Sequence, residues 1–226
     1  MPIQPKAVIF DYGMVLSLPQ NRADVESMAE IFDVPVPAFE TAYWKDRAAF
    51  DRADITPEQS WKSVAESLAR PLTEAEQERL IEFDNASWSH PNPIMIDWAK
   101  ALRSAGTRTA ILSNMPITLR AHLGRVAAWM PPFDFSCYSC DVRLAKPEPE
   151  IFLHCLQGLG ADPDEVLFLD DREENISAAR AAGIHAIQFS SPEQAQCEID
   201  RHYHLPLPIG RGTGSGKLAS QSQSSS

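Results

Sequence analysis

Ala7-Val8-Ile9-Phe10-Asp11 is an apolar run of four residues closed by a carboxylate. A run so short and so uniformly apolar has the pattern of a strand buried on both faces, as in a parallel sheet. The pattern returns at Thr109-Ala110-Ile111-Leu112, closed by Ser113, and at Val166-Leu167-Phe168-Leu169, closed by Asp170-Asp171. A lone ammonium, Lys146, sits in the segment 144–149. Polar side chains at the carboxyl ends of parallel strands are where an open α/β sheet builds its site.

Working outward from the first run, residues 6–10 read as a strand, but from about 21 to 87 the periodicity turns helical. Thr56-Pro57-Glu58-Gln59 carries a cap, a first-turn proline and a back-reaching amide, and Thr73-Glu74-Ala75-Glu76 is a second such start. At least three helices and no strand are expected in this span, as an insertion over the strand ends. Alternation then resumes. Helices are expected over 94–104, 117–130, 148–159 and 173–182, and strands over 107–112, 133–138, 165–169 and 184–189, with glycine closing several helices. The expected fold is α/β, a Rossmann-like parallel sheet of about five strands covered on both faces. The core comprises 1–16 plus 91–209, a helical cap spans 17–90, and the Gly- and Ser-rich stretch 210–226 is expected to be a disordered tail. Its Gly-x-Gly-x-Gly-Lys pattern is no phosphate loop, because no strand precedes it and no helix-forming run follows.

The 226 residues carry a formal net charge of −11, with no stripe of basic residues, so nucleic acid is not an expected partner. No apolar run approaches membrane-spanning length, and no membrane partner is expected. Met1-Pro2-Ile3-Gln4-Pro5-Lys6 runs straight into the first strand and leaves no room for a signal peptide. The four cysteines fit free thiols in a reducing compartment, which makes a cytoplasmic location the expectation. Cys137-Tyr138-Ser139-Cys140 has the spacing of a redox or half-zinc motif, but it has no second pair and its first cysteine falls within a strand. The chain is expected to act as a monomer or homodimer.

Taken alone, Asp11 reads as a turn aspartate, with Gly13 serving the turn. Asp170 and Asp171 at a second strand end change that reading, because neighbouring carboxylates repel unless a cation lies between them, and hard oxygen ligands suit Mg2+. One oxygen of Asp11 can then ligate while the other attacks phosphorus. Ser113-Asn114 reads either as a helix cap or, with the backbone N–H groups of that turn, as a holder of phosphoryl oxygens. Lys146 reads as an exposed charge or as a fixed positive point beside the nucleophile and the phosphate.

Together these motifs resemble the haloacid dehalogenase superfamily, in its phosphatase-like branch with a helical cap after the first strand. The resemblance rests on Phe10-Asp11-Tyr12-Gly13-Met14-Val15-Leu16, Leu112-Ser113-Asn114, Lys146-Pro147-Glu148-Pro149 and Leu169-Asp170-Asp171-Arg172-Glu173-Glu174-Asn175, in family order. It implies a Mg2+-dependent hydrolase of a small phosphorylated metabolite, a sugar phosphate being the expected class. Asp11 would be the nucleophile, and Ser113, Asn114 and Lys146 would bind the phosphate. Asp171 would ligate the metal directly, Asp170 would be a second acid of the metal shell, and the Gly13 carbonyl would be a further ligand. Tyr43-Trp44-Lys45-Asp46-Arg47 resembles family cap sequence. There Arg47 is the candidate substrate contact, or else a cap salt bridge, while Trp44 points either toward the site or, as expected of such a residue, into the cap core. One departure stands out. Gly13 occupies the position of the family phosphatases' acid–base aspartate, and it is expected to need a glycine backbone. Three explanations stay open at this point: a phosphatase with another proton donor or a good leaving group, a dehalogenase-like or other hydrolase, or a catalytically weak binding protein.

Overall fold

The structure, a computed structural model, describes residues 2–208. Five strands, β1 (Ala7–Phe10), β2 (Arg108–Ser113), β3 (Phe135–Tyr138), β4 (Val166–Asp170) and β5 (His185–Gln188), form one sheet in the order β3-β2-β1-β4-β5. Every pairing is parallel, with Phe10 opposite Ile111 on one side and Leu169 on the other. The helices are α1 (Arg22–Phe32), α2 (Val36–Lys45), α3 (Arg47–Asp51), α4 (Pro57–Ser67), α5 (Glu74–Ser87), α6 (Pro93–Ser104), α7 (Ile117–Val126), α8 (Ser139–Val142), α9 (Pro149–Leu159), α10 (Glu173–Ala181) and α11 (Pro192–His202).

Alternation within the strands sorts their side chains onto two faces. Val8, Phe10, Ile111, Leu167 and Leu169 pack with α6, α7 and α11, whereas Ala7, Ile9, Ala110, Leu112, Val166 and Phe168 pack with α9 and α10. All four β1 residues are fully buried, which is why that run carries no polar residue until it ends. Helices α1, α2, α4 and α5 form a third packing unit with its own core, including Met28, Phe32, Phe39, Trp61 and Leu80. Among the described residues, span 17–90 adds no strand to the sheet; only an isolated bridge pairs Ser17 with Pro91 at its root.

Thr56 and Thr73 both form complete capping boxes. Gly106, Gly160 and Gly183 follow their helices with positive φ, the left-handed closure that glycine adopts without penalty. Three expectations need correction. The helix expected over 117–130 stops at Val126, before Pro131-Pro132. The strand expected from 133 starts at Phe135, because the Asp134 side chain accepts the Thr109 N–H (2.8 Å) and ends the ladder there. Helix α11 was not expected at all. Cys137 and Cys140 are buried free thiols that burial pushes up to about 12, so thiolate chemistry is suppressed at this pair. The stretch 210–226 lies outside the described residues.

Candidate active site

Register brings the acidic side chains together. Asp11 directly follows β1, and its N–H donates to Leu169 O (2.9 Å), which places it beside Asp170 at the end of β4. Ser113 ends β2 on the other side and is 2% exposed. Lys146 arrives on the loop before α9, where Asn114 holds its backbone from both sides. The Asn114 Nδ2 donates to Lys146 O (2.9 Å), and the Lys146 N–H donates to Asn114 Oδ1 (2.9 Å). The structure thus commits the Asn114 amide to positioning Lys146.

The Lys146 ammonium is buried between two carboxylates, 2.8 Å from Asp11 Oδ1 and 2.6 Å from Asp170 Oδ2. Asp11 Oδ1 also accepts the Tyr12 N–H (2.6 Å), so both contacts fall on Oδ1, and Oδ2 is uncommitted among the described residues. Asp170 is held on several sides: besides Lys146 it accepts from the Arg172 N–H (2.9 Å) and from Asn175 Nδ2 (2.9 and 3.0 Å). Asn175, on the first turn of α10, was not singled out by sequence reasoning. The signal was a polar residue beside Ile176 on the helix face turned to the core, five positions after Asp170.

Electrostatics follow from this packing. Burial pushes the Asp11 carboxyl up to about 7; Lys146 opposes the shift and Asp170 adds to it. Burial works against the Lys146 ammonium, but Asp11 and Asp170 together outweigh it and raise its pKa. Asp171, half-buried, is raised by burial and by the charge of Asp170. Asp11, Asp170 and Asp171 each offer an oxygen, and these atoms lie within 4.8 Å of one another. Hard carboxylate oxygens are the ligands Mg2+ prefers, and small side-chain movements would let this set hold the ion. Three carboxylates against one ammonium leave a formal charge of −2, which a divalent cation cancels. The donor set fits the metal.

A cavity of about 150 Å3 between the sheet ends and the inserted helices is lined by Asp11, Gly13, Ser113, Asn114, Lys146 and Asp171 from below. Trp44, Arg47, Asp51 and Trp88 line it from above. Trp44 is 50% exposed and sits edge-to-face against Trp88 (6.4 Å, 83°), so it faces the cavity mouth rather than the cap core expected for it. Arg47 reaches the lining, but its guanidinium is paired within the insertion: Nε with Asp51 (2.7 Å), Nη1 with Asp84 (3.2 Å) and with the Tyr43 hydroxyl. Burial alone would lower the Arg47 pKa, but Asp51 and Asp84 together hold it well above its usual value. Asp51 was also not singled out from sequence.

Gly13 does not need to be glycine for its backbone. Its φ of −61° and ψ of 136° are ordinary, and a Cβ there would meet only Trp88 Cζ3, at 3.8 Å. The left-handed residue of this loop is Met14, at φ 62°.

A family model described as haloacid dehalogenase-like hydrolase matches residues 6–183, and the chain belongs to that family. Bifunctional epoxide hydrolase 2 of Sus scrofa is 31% identical over 213 residues, 87% of this chain, although the chain spans only 38% of that relative's length. Phosphoglycolate phosphatase 1 of Pseudomonas aeruginosa is 26% identical over 191 residues, covering 80% of this chain and 67% of that one. Among solved structures, a HAD family enzyme of Bacteroides thetaiotaomicron shares the fold with a TM-score of 0.68 and 23% identity, covering 84% of this chain and 95% of that one. The same enzyme in complex with magnesium and inorganic phosphate aligns with a TM-score of 0.64 and 20% identity, over 83% of this chain and 94% of that one.

Proposed function

We propose that the chain is a Mg2+-dependent phosphomonoester hydrolase acting on a small phosphorylated metabolite, working with its core and its inserted helical cap as two units. The observation that carries this reading is the convergence of Asp11, Asp170 and Asp171 within 4.8 Å, beside the Lys146 ammonium and Ser113. Asp11, Asp170, Asp171 and the Gly13 carbonyl would hold Mg2+, which would supply positive charge to phosphoryl oxygens that the carboxylates otherwise repel. The relatives that are phosphatases support the same direction.

Asp11 Oδ2 attacks phosphorus, the bond from phosphorus to the ester oxygen breaks, and that oxygen leaves with its electron pair and takes a proton from solvent. Water then attacks the aspartyl-phosphate, inorganic phosphate departs and the Asp11 carboxylate is restored. Lys146 keeps Asp11 oriented through Oδ1 and offsets the charge that builds on the phosphoryl oxygens. The Ser113 hydroxyl donates to one of those oxygens. Asn114 acts on substrate through the Lys146 backbone it clamps.

The decisive assay is release of inorganic phosphate from an aryl phosphate and from a panel of metabolite phosphates, with Mg2+ and with chelator. Turnover that needs Mg2+ and disappears in Asp11→Asn is the expected result. Chloride release from a 2-haloacid without metal would put the dehalogenase reading ahead, and no turnover on any substrate would leave a binding protein.

A further inference from the structure

Resting on the phosphohydrolase reading, we propose that the leaving group is a flat aromatic one, so that the natural substrate is an aryl phosphate rather than a sugar phosphate. Three independent features of the cavity carry this.

The first is its roof. Trp44, half exposed, and Trp88 stand edge-to-face over the opening, and Met14, 37% exposed, completes an apolar rim above the buried side chains of Met115 and Leu119 that line the cavity. Flat aromatic groups pack well against such faces and edges.

The second is the fate of the polar groups above the cavity. Arg47 is consumed by Asp51, Asp84 and Tyr43, and the Tyr43 hydroxyl donates to Asp84 Oδ1 (2.6 Å). Trp88 Nε1 is turned toward the Tyr43 hydroxyl (3.4 Å). The hydroxyls of a sugar would leave water and find these partners already taken, and unpaired polar groups are the strongest ground for rejecting a ligand. At about 150 Å3 the cavity is also small beside the ~300–1,000 Å3 of ordinary ligand pockets, so beyond a phosphoryl group the leaving group must lie at the rim.

The third is the missing acid. Where a proton donor could stand two residues after Asp11, Gly13 faces the carbon edge of Trp88. Asp51, a carboxyl lining the cavity from above, is held by Arg47 at 2.7 Å. An alkoxide leaving without a proton is slow, whereas a phenolate needs no acid. An apolar rim and an absent acid therefore select the same chemistry.

The experiment compares kcat/KM at saturating Mg2+ for 2-naphthyl phosphate, acetyl phosphate, glucose 1-phosphate and glycerol 3-phosphate. It is paired with quenching of tryptophan fluorescence by a non-hydrolysable 2-naphthyl phosphonate. We expect 2-naphthyl phosphate to exceed both the sugar and the glycerol ester by at least ~10²-fold, the scale of an absent general acid. Trp44→Ala should raise KM for the naphthyl ester several-fold, leave KM for acetyl phosphate within twofold and abolish the quench. Trp44→Phe should restore both, which separates ring contact from misfolding. Glucose 1-phosphate or glycerol 3-phosphate matching the naphthyl ester would overturn the inference while leaving a phosphatase. So would an equal effect of Trp44→Ala on both aromatic and acetyl substrates, or a flat leaving-group series that turns steep in Asp51→Asn. Absence of phosphate release from every ester would instead overturn the phosphohydrolase reading itself.

Discussion

Two residues beyond Asp11, the backbone dihedrals of Gly13 are those of any extended residue, and the space before Trp88 admits a side chain. Gly13→Asp is therefore expected to fold with an unchanged thermal midpoint and to raise kcat on glycerol 3-phosphate by up to ~10²-fold, with less effect on 2-naphthyl phosphate. Thermal unfolding and steady-state rates on the two esters check this; a lowered midpoint would show that the loop resists the extra carboxylate. The strained position is the neighbour. Met14 at φ 62° bears the left-handed cost, roughly 1–2 kcal/mol for a residue with a Cβ. A glycine next to a position that needs positive φ makes that position hard to assign from sequence, since the obvious candidate attracts the assignment. The polar residues that converge at the strand ends were legible for the opposite reason. Asp11, Ser113, Asp170 and Asp171 each interrupt or end an apolar run, and the structure brings them with Lys146 to one place, whereas Asn175 and Asp51 lie on helices whose polar residues look like solvated faces.

Helix α9 lies against β3 so closely that a Cβ on Gly158 would stand 2.2 Å from Phe135 Cζ. Gly158→Ala should therefore destabilise the fold by about 1–3 kcal/mol through overpacking, outweighing the gain of up to about 1 kcal/mol in helix propensity. A urea titration reads the difference. At the start of α5, Glu76 closes a capping box on Thr73 and pairs with Arg70, and that pairing, with the capping hydrogen bonds, pulls its carboxyl down to about 2. A depressed carboxyl stabilises the fold above its unfolded pKa, near 4.5, and loses that contribution as pH falls toward 2. Glu76→Gln should accordingly be less stable than the parent at pH 6, and the gap should narrow as pH falls below 4.5 and close only below pH 2 in parallel denaturant titrations. The strands were legible because burial on both faces leaves a run without polar residues. Helix α11 was not, since only Ala195 and Ile199 among its residues are buried and its remaining surface is polar. Its start was readable: Ser191-Pro192-Glu193-Gln194 repeats the pattern of Thr56-Pro57-Glu58-Gln59, and the Ser191 hydroxyl accepts the Gln194 N–H (3.2 Å).

At the scale of the whole chain, the insertion closes on the core through a few polar contacts. Ser139 Oγ donates to Asp51 O (2.5 Å), the Tyr12 hydroxyl donates to Trp88 O (2.7 Å), and Arg52 pairs with Glu148 at the surface. The Arg52–Glu148 pair is exposed enough to matter little for folding, but it bridges the insertion and the core. Arg52→Ala should leave the unfolding midpoint unchanged and raise KM by favouring an open arrangement. Salt near 0.5 M should raise KM of the parent toward that of the variant, because screening weakens the same pair. Initial rates at two salt concentrations, beside a thermal melt, test this. The root of the insertion carries a different consequence. Leu18 N–H donates to His90 O and Asn92 N–H donates to Leu16 O, both at 2.8 Å, so the chain leaves the core and re-enters it through a single doorway. What lies beyond that doorway can lengthen, shorten or be exchanged wholesale at small entropic cost, since doubling a loop adds only about 0.6 kcal/mol. The fold is thereby a fixed reaction chamber with an interchangeable lintel, one that a transplanted helical cassette from another chain could replace without moving Asp11.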